Sequence, residues 1–410
     1  MFSFKGIVLF IINLIRKSLQ LELDDFTEMS DIKNVTKQAL SKARRKLNPI
    51  VFELLNKKLV SEFYTDNEFK TFKNFRVLAI DGSTIQLPSS PELISFYGCC
   101  SNRFGSALPM AQASVLFDTL NKITINSVIS PYKASKKDQA LELLKNLLDL
   151  NKKTNFEKSK LKDLLIFDRE YPSIQLIMQL KDNKKDFLMR CPSNFIKEVR
   201  HVAKKGKTDR IIEIKFSYLS KPTQRLLKRV TSTFKEKRKI KLRLLSLELK
   251  SGEKEILLTT LINKEYTPSD LFNLYRKRWD IEENYKFTKT IASVENFSGK
   301  SKVTVEQDFY ATVFTCNVAL LFMQEVEDEV NKECKRKKLK YTYKVNKNIG
   351  LGILKNKLIE TLILDKNLDE FCRQVKLQMK KSLVPIRENR SFPRSKSLSR
   401  NYAINRRSCM

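Results

Sequence analysis

Apolar positions along the chain recur with two different periods, and the alternation between them divides it into regions. From residue 1 to about 70 the spacing is helical. Gly6–Ile15 is an apolar segment bounded by Lys5 and Arg16, and Val35–Leu47 turns Val35, Ala39 and Ala43 or Leu47 inward. Asn48–Pro49 ends that helix. Short apolar runs follow at Val77–Ile80, Ala111–Phe117, Ile123–Ser130, Lys162–Asp168 and Phe187–Arg190, and these predict buried strands. Helices are predicted between them at Lys137–Leu150 and Ser173–Asn183, and Asp118–Lys122 reads as a hairpin-like connection. Beyond Pro192 the runs Ile211–Phe216, Lys241–Leu249 and Glu255–Leu261 read as strands, with a turn at Ser251–Gly252 and basic loops at Lys204–Lys207 and Lys235–Lys241. Helical spacing returns over Thr267–Ser293, Val305–Val330, Ile349–Leu364 and Leu368–Lys381. The remainder, from Pro385, is rich in Arg and Ser and is expected to be disordered.

Composition narrows what this mixed α/β chain can do. With 79 Lys plus Arg against 46 Asp plus Glu, the net charge of +33 suits a polyanionic partner, and nucleic acid is the first candidate. An acidic membrane surface is the competing partner, but no uninterrupted apolar run reaches the roughly 20 residues of a membrane span. Seven scattered cysteines without a C-x-x-C pair argue against a disulfide framework or a zinc cluster and for a reducing compartment, the bacterial cytoplasm. The single histidine, His201, lies among lysines and excludes histidine-dependent triads and His-rich metal sites. Catalysis must then rest on carboxylates, which favour Mg²⁺.

Three carboxylates stand out. Asp81 and Asp168 each finish a predicted core strand, and Glu282 lies in the segment Thr267–Ser293. Thr267, Pro268 and Asp270 form the start of a well-capped helix. Advancing about 100° per residue, Tyr275, Arg278, Glu282 and Lys289 fall on one stripe, with Trp279 and Lys286 beside it and Leu274, Ile281 and Tyr285 on an apolar face. The same charges would also suit an ordinary solvated helix with spaced ion pairs. An Asp–Gly pair such as Asp81–Gly82 equally suits a turn. On Val35–Leu47, Lys42, Arg44 and Arg45 face outward in this reading and would contact DNA as a recognition helix or through the backbone alone.

The spacing of Tyr275, Arg278, Glu282 and Lys289 reproduces the YREK signature, and the chain resembles the DDE-type transposases of bacterial insertion sequences that carry it. Asp168, Arg169 and Tyr171 resemble the family's D-R-G-Y element, departing at Glu170 where the family has Gly. The resemblance implies a ribonuclease-H-like core in two parts (71–191 and 264–332), split by a β-rich insertion (192–263). A helical DNA-binding domain (1–70), a helical C-terminal region (333–384) and a basic tail (385–410) would flank it. It further implies that Asp81, Asp168 and Glu282 hold two Mg²⁺ ions, for which Mn²⁺ could substitute. Tyr275, Arg278, Trp279, Lys286 and Lys289 would hold DNA. The expected activity is Mg²⁺-dependent cleavage and strand transfer by a homodimer on paired element ends. Some members place a tryptophan in the insertion, whereas the one Trp here is Trp279. A repurposed DNA-binding protein and a plain Mg²⁺ nuclease are the rival readings.

Overall fold

The computed structural model describes residues 3–14, 18–30, 35–65, 69–101, 107–153, 161–204, 208–215, 217, 219–230, 239–249 and 252–387. Four helices come first: α1 (Phe4–Asn13), α2 (Leu19–Met29), α3 (Lys37–Arg44) and α4 (Ile50–Thr65). They are followed by β1 (Phe75–Gln86), α5 (Pro91–Tyr97), β2 (Cys99–Ser101), β3 (Ala107–Asp118), β4 (Ile123–Pro131), α6 (Lys136–Lys153), β5 (Lys162–Phe167), α7 (Ile174–Asp182) and β6 (Asp186–Arg190). Next come α8 (Lys197–Lys204), β7 (Thr208–Lys215), α9 (Lys221–Val230), β8 (Lys239–Glu248) and β9 (Lys254–Thr259). The chain continues through α10 (Pro268–Arg276), α11 (Trp279–Lys286), α12 (Lys302–Arg336), β10 (Thr342–Val345), α13 (Lys347–Ile363), α14 (Leu368–Lys380) and β11 (Leu383–Ile386).

β1 pairs antiparallel with β3, and β3 with β4, while β1, β5 and β6 run parallel. Counting these five in chain order, the sheet reads 3-2-1-4-5, the ribonuclease-H-like arrangement. One sheet face packs Leu78, Ile80, Leu165 and Phe167 against α4, α6 and α7 through Val60, Leu143, Leu147 and Ile177. On the other, Val77, Leu164 and Ile166 meet Leu271, Leu274 and Tyr275 of α10, and Ala79, Val115 and Phe117 meet Ile281 of α11. The alternation along each strand thus sorts its side chains between two helical layers.

Several boundaries differ from the sequence reading. β9 pairs with β6, β8 with β9 and β7 with β8, so the inserted strands extend the central sheet. The insertion also contains α8 and α9, whose buried Val199, Val202 and Leu227 were hidden among lysines and arginines. β1 runs unbroken to Gln86, so Asp81–Gly82 lies within a strand and is no turn. The glycine answers a close approach: a Cβ there would stand 2.6 Å from Gln112 Nε2 and 2.9 Å from Ser114 Oγ. At the other end β11 pairs with β10 beyond residue 385, while 388–410, the bulk of the expected tail, lie outside the described residues.

The N-terminal helices share their core with the rest of the chain. Phe10, Phe26, Leu40 and Phe52 pack with Ala311 of α12 and Ile359 of α13. In α3 the inward residues are Leu40 and Arg44, and Ala39 is exposed. Arg44 is therefore not the outward-facing cation expected from the sequence: its guanidinium is buried, donating to Asp308 Oδ1 at 2.8 Å, to Gln307 Oε1 at 2.9 Å and to Ser298. Gln307 returns bonds to the carbonyls of Arg44 and Leu47, so α3 is clamped onto α12. Among the described helices α12 alone is long and apolar enough to cross a membrane, but 61% of its most apolar window is buried inside the protein. It packs on α1, α4, α14 and β4 and serves as the central helix of this layer.

The parallel pair β1–β5 is tied at its N-terminal end by a buried ionic cluster. Arg76 donates from Nε and Nη2 to Asp163 Oδ1 at 2.9 and 2.6 Å and from Nη2 to Asn151 at 2.7 Å; Lys185 reaches Asp163 Oδ2 at 2.7 Å. Arg76 also lies 4.6 Å from the Tyr64 ring centre, and Tyr64 donates to Asp118 at 2.7 Å. Burial alone would raise the Asp163 pKa, but Arg76 and Lys185 outweigh it and hold the carboxyl below the usual aspartate range. Arg76→Met should destabilise the protein by about 3–5 kcal/mol, since it leaves a buried carboxylate short of a partner. Because the folded pKa is depressed, this stabilisation is full above the ordinary aspartate value and fades as pH falls through the lower folded one. Urea denaturation of the wild type and the variant across that acid range would show the gap closing.

Candidate active site

Strand register brings the first two acids together. β1 and β5 are paired in parallel up to Ile80 and Phe167, so the next residues, Asp81 and Asp168, are neighbours across strands about 5 Å apart. Both continue the row Val77–Ala79 and Leu164–Ile166, on the face covered by α10 and α11. Asp81 Oδ1 accepts the Gly82 N–H at 2.7 Å. Burial raises the Asp81 pKa and Asp168 adds to the rise, while the Gly82 N–H, Lys136 and Arg278 pull it down.

The helix carrying the third acid begins as its sequence predicts. Thr267 and Asp270 form a reciprocal capping box with Pro268 in the first turn. It does not run unbroken to Ser293. Short-range bonds from Lys277 N to Leu274 O and from Arg278 N to Tyr275 O tighten the chain and separate α10 from α11. After α11, Phe287–Ile291 forms a wide π turn. Ile281 seats α11 against Ala79, Val115 and Phe117, and the Tyr285 hydroxyl donates to the carbonyls of Asp81 at 2.9 Å and Ala113 at 3.1 Å. Glu282 is thereby fixed over the same sheet face.

A guanidinium links the acids. Arg278, only 5% exposed, donates from Nη2 to Glu282 Oε1 at 2.7 Å and sets Nη1 3.6 Å from Asp81 Oδ2. Burial disfavours its charge, but Glu282 and Asp168 hold it protonated. Its plane also lies 4.9 Å from the Trp279 ring. Tyr275 is buried and donates to Asp168 Oδ1 at 3.3 Å. The Tyr171 hydroxyl, equally buried, has no hydrogen-bond partner of regular geometry; burial first and then Asp81 raise its pKa. Glu170 turns outward, its carboxylate bound by Lys136 at 2.6 Å. The residue at the position of the family's Gly is thus paired with a lysine and not with the acid cluster.

The remaining sequence candidates divide by exposure. Trp279, Lys286, Lys42 and Arg45 are exposed. Lys289 is turned inward by the π turn, with Nζ on the Thr84 carbonyl and 3.7 Å from Glu295, so it is not presented to a ligand. His201 is exposed on α8. The sequence reading missed Lys136, which gave no signal at the head of an ordinary amphipathic helix, and Glu255. The latter is a buried carboxylate on β9 whose pKa burial raises, partly offset by Arg190 and Arg276.

The donor set is all hard oxygen, the chemistry Mg²⁺ prefers. Asp81 and Asp168 fit such an ion as neighbours on one face. Among the described residues no three acidic, histidine or cysteine side chains stand close enough to ligate a metal as placed, and Glu282 is bound by Arg278.

Residues 73–318 match the family model described as "Transposase DDE domain". Among solved structures, a piggyBac transposase synaptic complex with hairpin DNA is similar at 12% identity and a TM-score of 0.43, over 92% of this chain and 75% of that one. No curated protein matches the sequence. Asp81→Asn should raise the melting temperature measured with chelator at neutral pH, since it removes a charge whose pKa burial has raised. The gain should shrink as pH falls below the folded pKa, where the wild-type carboxyl is itself neutral.

Proposed function

The chain belongs to the family of transposases with a DDE domain, and on that premise we propose that it cuts DNA at the ends of an insertion sequence and joins the freed 3′-hydroxyls to a target. The observation that carries this reading is the β1–β5 register, which sets Asp81 beside Asp168, with α11 holding Glu282 over the same face. In this reading Asp81, Asp168 and Glu282 hold two Mg²⁺ ions, or Mn²⁺ in their place. Bound there, the ions would activate the attacking oxygen and stabilise the leaving one.

The chain's own part is to position and neutralise. Arg278 gives up Glu282 and Asp81 as a DNA phosphate arrives, and its fork binds that phosphate in two-point fashion. Tyr275 keeps the Asp168 carboxylate oriented. Trp279, 49% exposed beside Arg278, offers a stacking surface to the terminal base of an opened strand. Lys286 extends the cationic path along α11, and Lys42 and Arg45 bind backbone phosphates from α3. Lys289 acts from inside, bracing β1 at Thr84. Two copies on paired ends would form the working complex.

A second reading, a DNA-binding protein that no longer cuts, is favoured by the present separation of the three acids. Strand-transfer assays with 3′-hydroxyl DNA ends distinguish them: joined products support the transposase, cleavage without joining a nuclease, and binding alone the inactive protein. Glu282→Gln should abolish Mg²⁺-dependent cleavage and joining while leaving DNA binding in gel-shift assays intact. Retained cleavage in this variant would remove Glu282 from the mechanism.

A further inference from the structure

We propose that Lys136 is a phosphate-binding residue of this site, with Glu170 as the partner that holds it when no DNA is present. The inference rests on the proposed reading of the Asp81–Asp168 cleft as the place where a DNA strand is cut. Lys136 opens α6, on the connection leaving β4, and its side chain is half-buried. Its ammonium is bound at 2.6 Å by Glu170, a carboxylate 58% exposed, two residues beyond Asp168. One turn further along α6, Gln139 accepts from Ser114, which β3 pairs with Gly82, so the head of this helix is docked beside the strand position that follows Asp81. The lysine therefore lies near the acid pair, while its resting partner is solvent-exposed.

That arrangement suits exchange. An ion pair with an exposed partner contributes little, because water screens it. A DNA phosphate entering the cleft can therefore take over the ammonium at little cost. Arg278 and Lys136 are held by different acids, Glu282 and Glu170, so each can be released to the strand separately. Glu170, where the family has Gly, then has a role of its own. It neutralises Lys136 when no strand is bound.

The test is DNA binding measured by fluorescence anisotropy over a salt series, with the full chain, a short duplex of arbitrary sequence and Ca²⁺ in place of Mg²⁺. Losing one phosphate contact should lower the slope of log K against log salt by about 0.9. Lys136→Ala is thus expected to lose affinity most at low salt. The penalty of a fourfold rise in salt would then be roughly threefold smaller than in the wild type. Lys136→Arg should restore the slope, and Glu170→Gln should tighten binding by releasing the lysine. Melting curves check that the variants fold. A wild-type slope in Lys136→Ala, in a protein that cleaves normally with Mg²⁺, would overturn the role of Lys136 alone. A changed slope in a protein whose wild type binds but never cleaves would keep Lys136 as a phosphate contact and defeat the catalytic reading instead.

Discussion

Two carboxylates set side by side on a half-buried sheet repel each other. The active-site half of this structure is arranged around that constraint. Arg278 spans from Glu282 to Asp81, Tyr275 donates to Asp168, the Gly82 N–H is given to Asp81, and Lys136 stands by at the rim. Each donor comes from a different element, so the charge balance also records how α10, α11, α6 and the sheet are docked. Burial first, and Asp168 after it, nevertheless raise the Asp81 pKa.

The scaffold beneath is built to resist that repulsion. At the N-terminal end of the same strands the Arg76–Asp163–Lys185 cluster locks β1 to β5 in one register, and a slip of one residue would send Asp81 to the opposite face. Behind the sheet, α12 joins the N-terminal helices to the core through the Arg44–Asp308 pair and the apolar contacts around Phe10 and Phe52. The N-terminal helices therefore share one packed core with α12 and α13.

Interruptions in the Glu-bearing helix matter as much as the helix. Had it continued straight, Tyr275, Arg278, Glu282 and Lys289 would have shared one outward stripe. The tightened turn at Lys277–Arg278 instead lets Tyr275 bury itself against Asp168 while Arg278 bridges two acids. The π turn at Phe287–Ile291 then rotates Lys289 onto the backbone of β1. Wide helical turns often occur at functional sites, and here one converts a surface cation into an internal brace.

Local chemistry made much of this legible from sequence. The capping box at Thr267, the buried strands around Asp81 and Asp168, and the apolar face of Ile281 and Tyr285 all follow from spacing within one element. So did the order of the core strands and of the helices between them, though not α5, α8 or α9, and with the signature around Glu282 the family itself. What spacing could not reach were partners far along the chain. Arg44 looked like a surface cation until Asp308 and Gln307 enclosed it, and Glu170 looked like an intruder until Lys136 bound it. Whether β7, β8 and β9 form a lobe or lengthen the sheet depends on the free edge of β6, which no residue within 192–263 reports. Periodicity tells which side of its own element a residue occupies, whereas burial and charge pairing depend on what the finished fold packs against that side.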